Sequence, residues 1–172
     1  MLILCGDCRV PSLYVQDAPA YTAGVYFWRD IKYYLKTSAS FDSAHFLHGY
    51  NGKCANIHGH CWKVEVAISG DKLQPEGEKR GMLIDFGDLK KAVRSLADSF
   101  DHTLIYEEGT LNDVTVAVLR SEGFSLTPVP FRPTAENLAR HFWEVLTTQG
   151  LPVSTVTVYE TPENCAVYEV EK

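Results

Sequence analysis

The six histidines of this chain are unevenly spread: His45, His48, His58 and His60 fall close together. Imidazole nitrogens suit zinc, and three protein ligands leave a fourth position for water or substrate, the arrangement of catalytic zinc sites. On extended backbone alternate side chains point the same way, so His58 and His60 of His58-Gly59-His60 share a face. Gly59 presents no side chain to the opposite face. His45, just beyond an earlier strand, closes a three-imidazole set if the two strands pair as a hairpin. The competing reading, a polar strand start beside a loop histidine, leaves the clustering unexplained. A metal set of His45, His58 and His60 is therefore expected. His48 is the substitute ligand, or else a solvated loop residue.

Cys54 shortly precedes His58. Close to a cation its thiol deprotonates more readily, which suits a nucleophile or base; as a fourth ligand it would instead close the site. Spacing does not decide between these, and the catalytic arrangement is preferred. Cys61 points away from the histidine face and is expected to be a buried apolar thiol. In Asp101-His102 a carboxylate could fix the imidazole's tautomer and adjust its proton affinity. Sequence neighbours need not touch, however, and a histidine at a helix C-terminus is favoured by the helix dipole alone. Glu160 continues the face of Val156 and Val158 on a strand, which is costly for a carboxylate unless something pairs with it. The amidine-like N–H edge of a pterin or guanine would pair bidentately; otherwise Glu160 emerges into solvent at the strand end. Cys5 and Cys8 have CxxC spacing, but a zinc knuckle needs a second pair nearby, so they read as incidental thiols.

The elements that must position these groups are legible in outline. From Ile31 to Phe41 the pattern is extended, with Tyr33, Leu35, Thr37, Ala39 and Phe41 on one face, followed by a loop over 43–57. A second strand from about His58 to Ser69 carries His60, Trp62, Val64, Val66 and Ile68 on one face. Asp85 can cap a helix whose apolar residues Phe86, Leu89, Val93, Leu96 and Phe100 recur at three- and four-residue steps. Thr134 likewise caps a helix over 135–149 that ends at Gly150. Between them a short helix over 111–122 and a short strand over 125–131 are expected. Two final strands, 153–160 and 165–171, flank a turn at 161–164. The predicted class is α+β: a four-stranded antiparallel sheet with two principal helices on one face. Residues 31–172 form a single domain in this reading, and residues 1–30 an irregular N-terminal arm. A bare sheet face and open edges invite association with further copies.

Composition sets limits on function. Hydrophobic residues make up 45% and charged residues 22%, ordinary for a globular protein able to form a core. A net charge of -6 argues against general nucleic-acid binding, which needs concentrated positive charge, but permits a local cationic pocket. No apolar run reaches bilayer-spanning length, and Asp7 interrupts the start too early for a signal peptide. A cytoplasmic protein without a membrane partner is expected. Five cysteines at irregular spacing suit free thiols better than a disulfide framework.

With these residues placed, the sequence resembles the 6-pyruvoyl-tetrahydropterin synthase / 6-carboxy-tetrahydropterin synthase family. SFDSAHFL, CANIHGHCWKVEV, GMLIDFGDLKKAV, FDHTLIYEEG, PTAENLARHFWE and VTVYETPENCAVY carry the resemblance, in the family's order. It implies a tunnelling fold (T-fold) assembled into trimers and then hexamers around a barrel, with active sites at subunit interfaces. Position by position it implies zinc held by His45, His58 and His60. It makes Cys54 the general base and Asp101 and His102 its partner pair, supplied across an interface. Glu160 becomes the anchor of the pterin ring, with Thr134 and Glu136 shaping its pocket. The Cys54-to-His58 interval is that of the bacterial carboxy-forming enzymes of queuosine and deazapurine biosynthesis. Pyruvoyl-forming animal enzymes have a longer interval, and Cys54 argues against a third group that uses glutamate instead.

The implied reaction converts 7,8-dihydroneopterin triphosphate and water to 6-carboxy-5,6,7,8-tetrahydropterin, acetaldehyde and triphosphate, with zinc and no redox cofactor. A pyruvoyl-forming synthase, an aldolase-like pterin enzyme acting on dephosphorylated dihydroneopterin, and a noncatalytic zinc- or pterin-binding module are the alternatives. The N-terminal arm, and Tyr106 where many relatives carry asparagine, depart from the pattern. Lys32, Lys36, Lys53, Arg80 and Arg132 are candidates for holding the triphosphate, although solvated surface charge is the plainer reading of each.

Overall fold

A computed structural model describes residues 32–170. The N-terminal arm over 1–30, with Cys5 and Cys8, lies outside the described residues. Strand β1 (Tyr33–His45) runs past the predicted end at Phe41 and carries the first histidine into the sheet. From Ala39 onward it alternates: Ala39, Phe41, Ser43 and His45 are buried, while Ser40 and Asp42 are exposed. Strand β2 (His58–Gly70) buries Trp62, Val64, Val66 and Ile68 on the matching face. The two pair antiparallel, with Phe41 opposite Trp62, Ser43 opposite His60 and His45 opposite His58. The Phe41 and Trp62 rings stack with centroids 6.2 Å apart, a cross-strand pair of the kind worth about 0.5–1.5 kcal/mol beyond its buried area.

Helix α1 (Phe86–Asp98) begins as expected at Asp85, whose side chain accepts from the Gly87 N–H at 2.6 Å. It buries Leu89, Val93 and Ala97. A second, shorter helix, α2 (Asp113–Ser121), is capped by Asn112 through the Thr115 N–H and buries none of its residues. Helix α3 (Ala135–Thr148) is capped by Thr134 and buries Leu138, Ala139, Phe142 and Leu146. At its end Gly150 adopts φ 88°, the left-handed conformation that closes a helix most cheaply with glycine. Both α1 and α3 insert these residues into one core with Phe41, Trp62, Val64 and Val66, so the two principal helices cover a single sheet face.

The sheet itself corrects the prediction. It has six strands rather than four and is mixed rather than antiparallel, in the order β4-β3-β1-β2-β5-β6. Strand β3 (Thr103–Glu107) pairs parallel with the end of β1, and β4 (Leu126–Val129) pairs parallel with β3. Strands β5 (Val153–Tyr159) and β6 (Cys165–Glu169) extend the other edge antiparallel. Parallel pairing requires a crossover, which β2 and α1 together supply between β1 and β3 and α2 supplies between β3 and β4. The segment of β3 is too short for a period-two signal, and the sequence gives its pairing no turn to announce it.

Candidate metal centre and adjoining cleft

The hairpin register brings the three histidines together at one end of β1 and β2. Their ligand-capable nitrogens all lie within 4.8 Å of one another. His45 Nδ1 donates to the Pro133 carbonyl at 2.7 Å, and His58 Nδ1 donates to the Asn56 carbonyl at 2.8 Å. These contacts assign the protons to Nδ1 and leave both Nε2 lone pairs facing inward, 3.2 Å apart. Two opposed lone pairs repel unless a cation lies between them. A tetrahedral zinc with bonds of about 2.0–2.1 Å has N···N edges of about 3.3–3.4 Å, close to the observed spacing. The third nitrogen, His60 Nε2, is buried with no hydrogen-bond partner. An orphaned buried acceptor is costly, and a metal ion satisfies it. The residues present therefore fit a divalent ion.

Burial pushes the His45 pKa down to about 4, with the Pro133 carbonyl opposing the shift and the neighbouring histidines adding to it. Burial also lowers that of His60, with Glu160 opposing. Both rings are thus held neutral, the form that ligates. The Trp62 indole packs edge-on against His45 and His60, at 5.0 and 5.2 Å between centroids, and gives the centre an apolar floor. His48, the substitute ligand, is exposed and lies outside the triad.

Glu160 follows directly on β5, where the buried stripe of Val156 and Val158 reaches the sheet end. Its Oε1 is 3.4 Å from His45 Nε2 and 3.7 Å from His60 Nε2. It also lines a cleft of about 290 Å³ together with Cys54, Thr134 and Glu136. Four residues singled out separately in the sequence thus converge on one cavity, with Glu160 shared between it and the histidines. Cys54 sits half-buried in a single 3-10 turn, Lys53–Ala55, whose loop is tied back by Leu47 N–H to Cys54 O at 2.8 Å. Tyr50 and Asn164 also line the cleft; neither carried a functional signal in the sequence, since both come from irregular loops.

Asp101 and His102 do touch. His102 Nδ1 is 2.9 Å from Asp101 Oδ2, and the carboxylate raises the imidazole pKa. Asp101 Oδ1 in turn accepts from the Asp42 N–H at 2.8 Å, the main cause of its lowered pKa. The pair is anchored to the outward face of β1, and His102 has φ 51° and is 79% exposed. Instead of lining the Cys54 cleft, His102 lines a separate cavity of about 690 Å³ with Gly59, Ile57, Leu104 and Phe124. Cys61 corrects another expectation: its thiol is exposed. It stands opposite Asp42 in the register, and that carboxylate accepts a hydrogen bond from the thiol and raises its pKa. Helices α1 and α3 pack on the opposite face of the sheet.

A profile of 6-pyruvoyl tetrahydropterin synthase matches residues 34–171. The chain belongs to this family. Within it, a relative from Haemophilus influenzae named 6-carboxy-5,6,7,8-tetrahydropterin synthase is 42% identical over 133 residues, covering 76% of this chain and 94% of its own. A Wolinella succinogenes structure described as an uncharacterized protein superposes with TM-score 0.68 at 22% identity, over 83% of this chain and all of the other. The 6-pyruvoyl tetrahydropterin synthase of Caenorhabditis elegans gives TM-score 0.58 at 25% identity, over 82% of this chain and 97% of its own.

Proposed function

We propose that this member of the 6-pyruvoyl tetrahydropterin synthase family is a 6-carboxy-5,6,7,8-tetrahydropterin synthase. It converts 7,8-dihydroneopterin triphosphate and water to the 6-carboxy pterin, acetaldehyde and triphosphate. The observation that carries the reading is the convergence of Cys54, Thr134, Glu136 and Glu160 on one cleft beside the histidine triad. The name of the Haemophilus relative and the short interval from Cys54 to His58 support the carboxy-forming reaction over the pyruvoyl-forming one.

His45, His58 and His60 would hold zinc, which when bound supplies electrophilic polarisation of the substrate's side-chain oxygens. Glu160 accepts the paired N–H groups of the pyrimidine edge and so aims the pterin side chain toward the histidines. Cys54, as thiolate, takes a proton from carbon. His102, held by Asp101, returns or removes protons from the opposite side. Its place on the outward face of the sheet supports delivery into the cleft of a neighbouring copy, in a trimer or hexamer with shared sites. The same reading assigns the enzyme to the cytoplasm and to queuosine or other deazapurine biosynthesis.

The test is product analysis with the triphosphate substrate and zinc-loaded protein. Acetaldehyde and 6-carboxy pterin in equal amounts are expected; a pyruvoyl pterin without acetaldehyde overturns the assignment. Dephosphorylated dihydroneopterin should not turn over.

A further inference from the structure

The Pro133 carbonyl sets the orientation of the most buried ligand, His45, so whatever aims that carbonyl acts on the metal centre. Arg132 is at the middle of this arrangement. Its carbonyl accepts from the Thr134 N–H at 2.8 Å and from Asn137 Nδ2 at 3.0 Å. The first bond closes a three-residue turn around Pro133, whose fixed φ suits it; the second braces the turn against α3. The Arg132 guanidinium reaches away from the turn and donates to the His48 carbonyl in the loop 46–57. Gly49, beside that carbonyl, has φ 71°, a backbone conformation that glycine adopts most readily. The loop's other hydrogen bonds among the described residues stay inside it or run to His58.

We propose that Arg132 is a positioning residue that latches the Cys54 loop to the carbonyl orienting His45, with Asn137 as its brace. One residue thereby couples the placement of the thiol to that of the metal ligand. Its guanidinium is engaged by the His48 carbonyl. This inference rests on the metal-centre reading above.

The experiment uses the full chain and its Arg132→Met, Arg132→Lys and Asn137→Ala variants. Cobalt(II) affinity is measured by chelator competition, its visible absorption recorded, and Cys54 alkylation by iodoacetamide followed by peptide mass spectrometry. Removing a partner that orients a metal-bound histidine costs about 10- to 100-fold in metal affinity. Arg132→Met should show that loss together with an altered Cys54 alkylation rate. Arg132→Lys, which keeps one donor, should recover part of both. Asn137→Ala should lose affinity while its Cys54 alkylation stays near the wild-type rate; this variant also carries the test if Arg132→Met does not fold. Unchanged cobalt affinity and alkylation in Arg132→Met overturn the proposal, as does a raised KM for the triphosphate substrate as its sole defect. A wild-type chain that binds no divalent ion refutes the metal reading instead. In that event nitrogen-15 NMR of the His45 ring in the metal-free protein still reads the latch, through loss of its Nδ1-protonated tautomer in Arg132→Met.

Discussion

His45 makes the metal-free protein sensitive to acid in a way that can be worked out in advance. In the fold its pKa is about 4, against 6.5 for the ordinary imidazole, because burial disfavours the charged ring. The unfolded chain therefore binds more protons than the native one between these values. The native state gains from the neutral ring above pH 6.5 and loses that advantage as pH falls toward 4. By linkage, the loss between pH 7.5 and pH 5 is about 2 kcal/mol for this group. The assay is urea unfolding of the metal-free chain at both pH values, for wild type and for His45→Gln, with slopes compared to confirm that both unfold alike. Wild type should lose about 2 kcal/mol more than the variant over that interval. His60 shifts in the same direction, but it remains in both proteins and largely cancels in the difference. Equal losses in the two proteins would refute the reasoning, since His45 would then titrate in the fold as it does in the unfolded chain.

Further outcomes follow from the same centre. Zinc at about a hundredfold excess over its Kd should stabilise the chain by about 2.7 kcal/mol, measured by unfolding with and without chelator, and His60→Ala should abolish most of that difference. Cys54→Ala should keep fold and zinc but lose about 10²- to 10⁴-fold in turnover; loss of zinc instead would make Cys54 a ligand. Asp101→Asn should bring the His102 pKa down toward the ordinary imidazole value, read by NMR titration, because the carboxylate is the main cause of its elevation.

How much of this was legible in the sequence depended on whether a feature is a side-chain pattern or a backbone relation. His58 and His60 were readable because a strand's period of two is fixed by geometry, and the same period put Trp62 beneath them. Asp85 and Thr134 announced their helices because a capping side chain is a residue type. The Pro133 carbonyl that orients His45 could not be found, since every residue carries a carbonyl. Contact between Asp101 and His102 likewise depended on how the chain turns off α1 and docks on Asp42, where His102 adopts a positive φ. Strand β3 escaped notice because its partner is recruited through a crossover helix, not a hairpin turn. Cys61 was assigned to the correct face, but its exposure follows from α1 and α3 having packed on the other one.

The strand order has a kinetic consequence. His45 and His58 pair with each other across the two central strands of a six-stranded sheet, and His45 pairs also with Ile105 of β3, whereas Cys54 and His102 hang from connecting segments. Interior strands open only in the rarest, near-global fluctuations, while loops open often. An ion once seated would thus be traded slowly, on the clock of the whole domain rather than of the segments beside it.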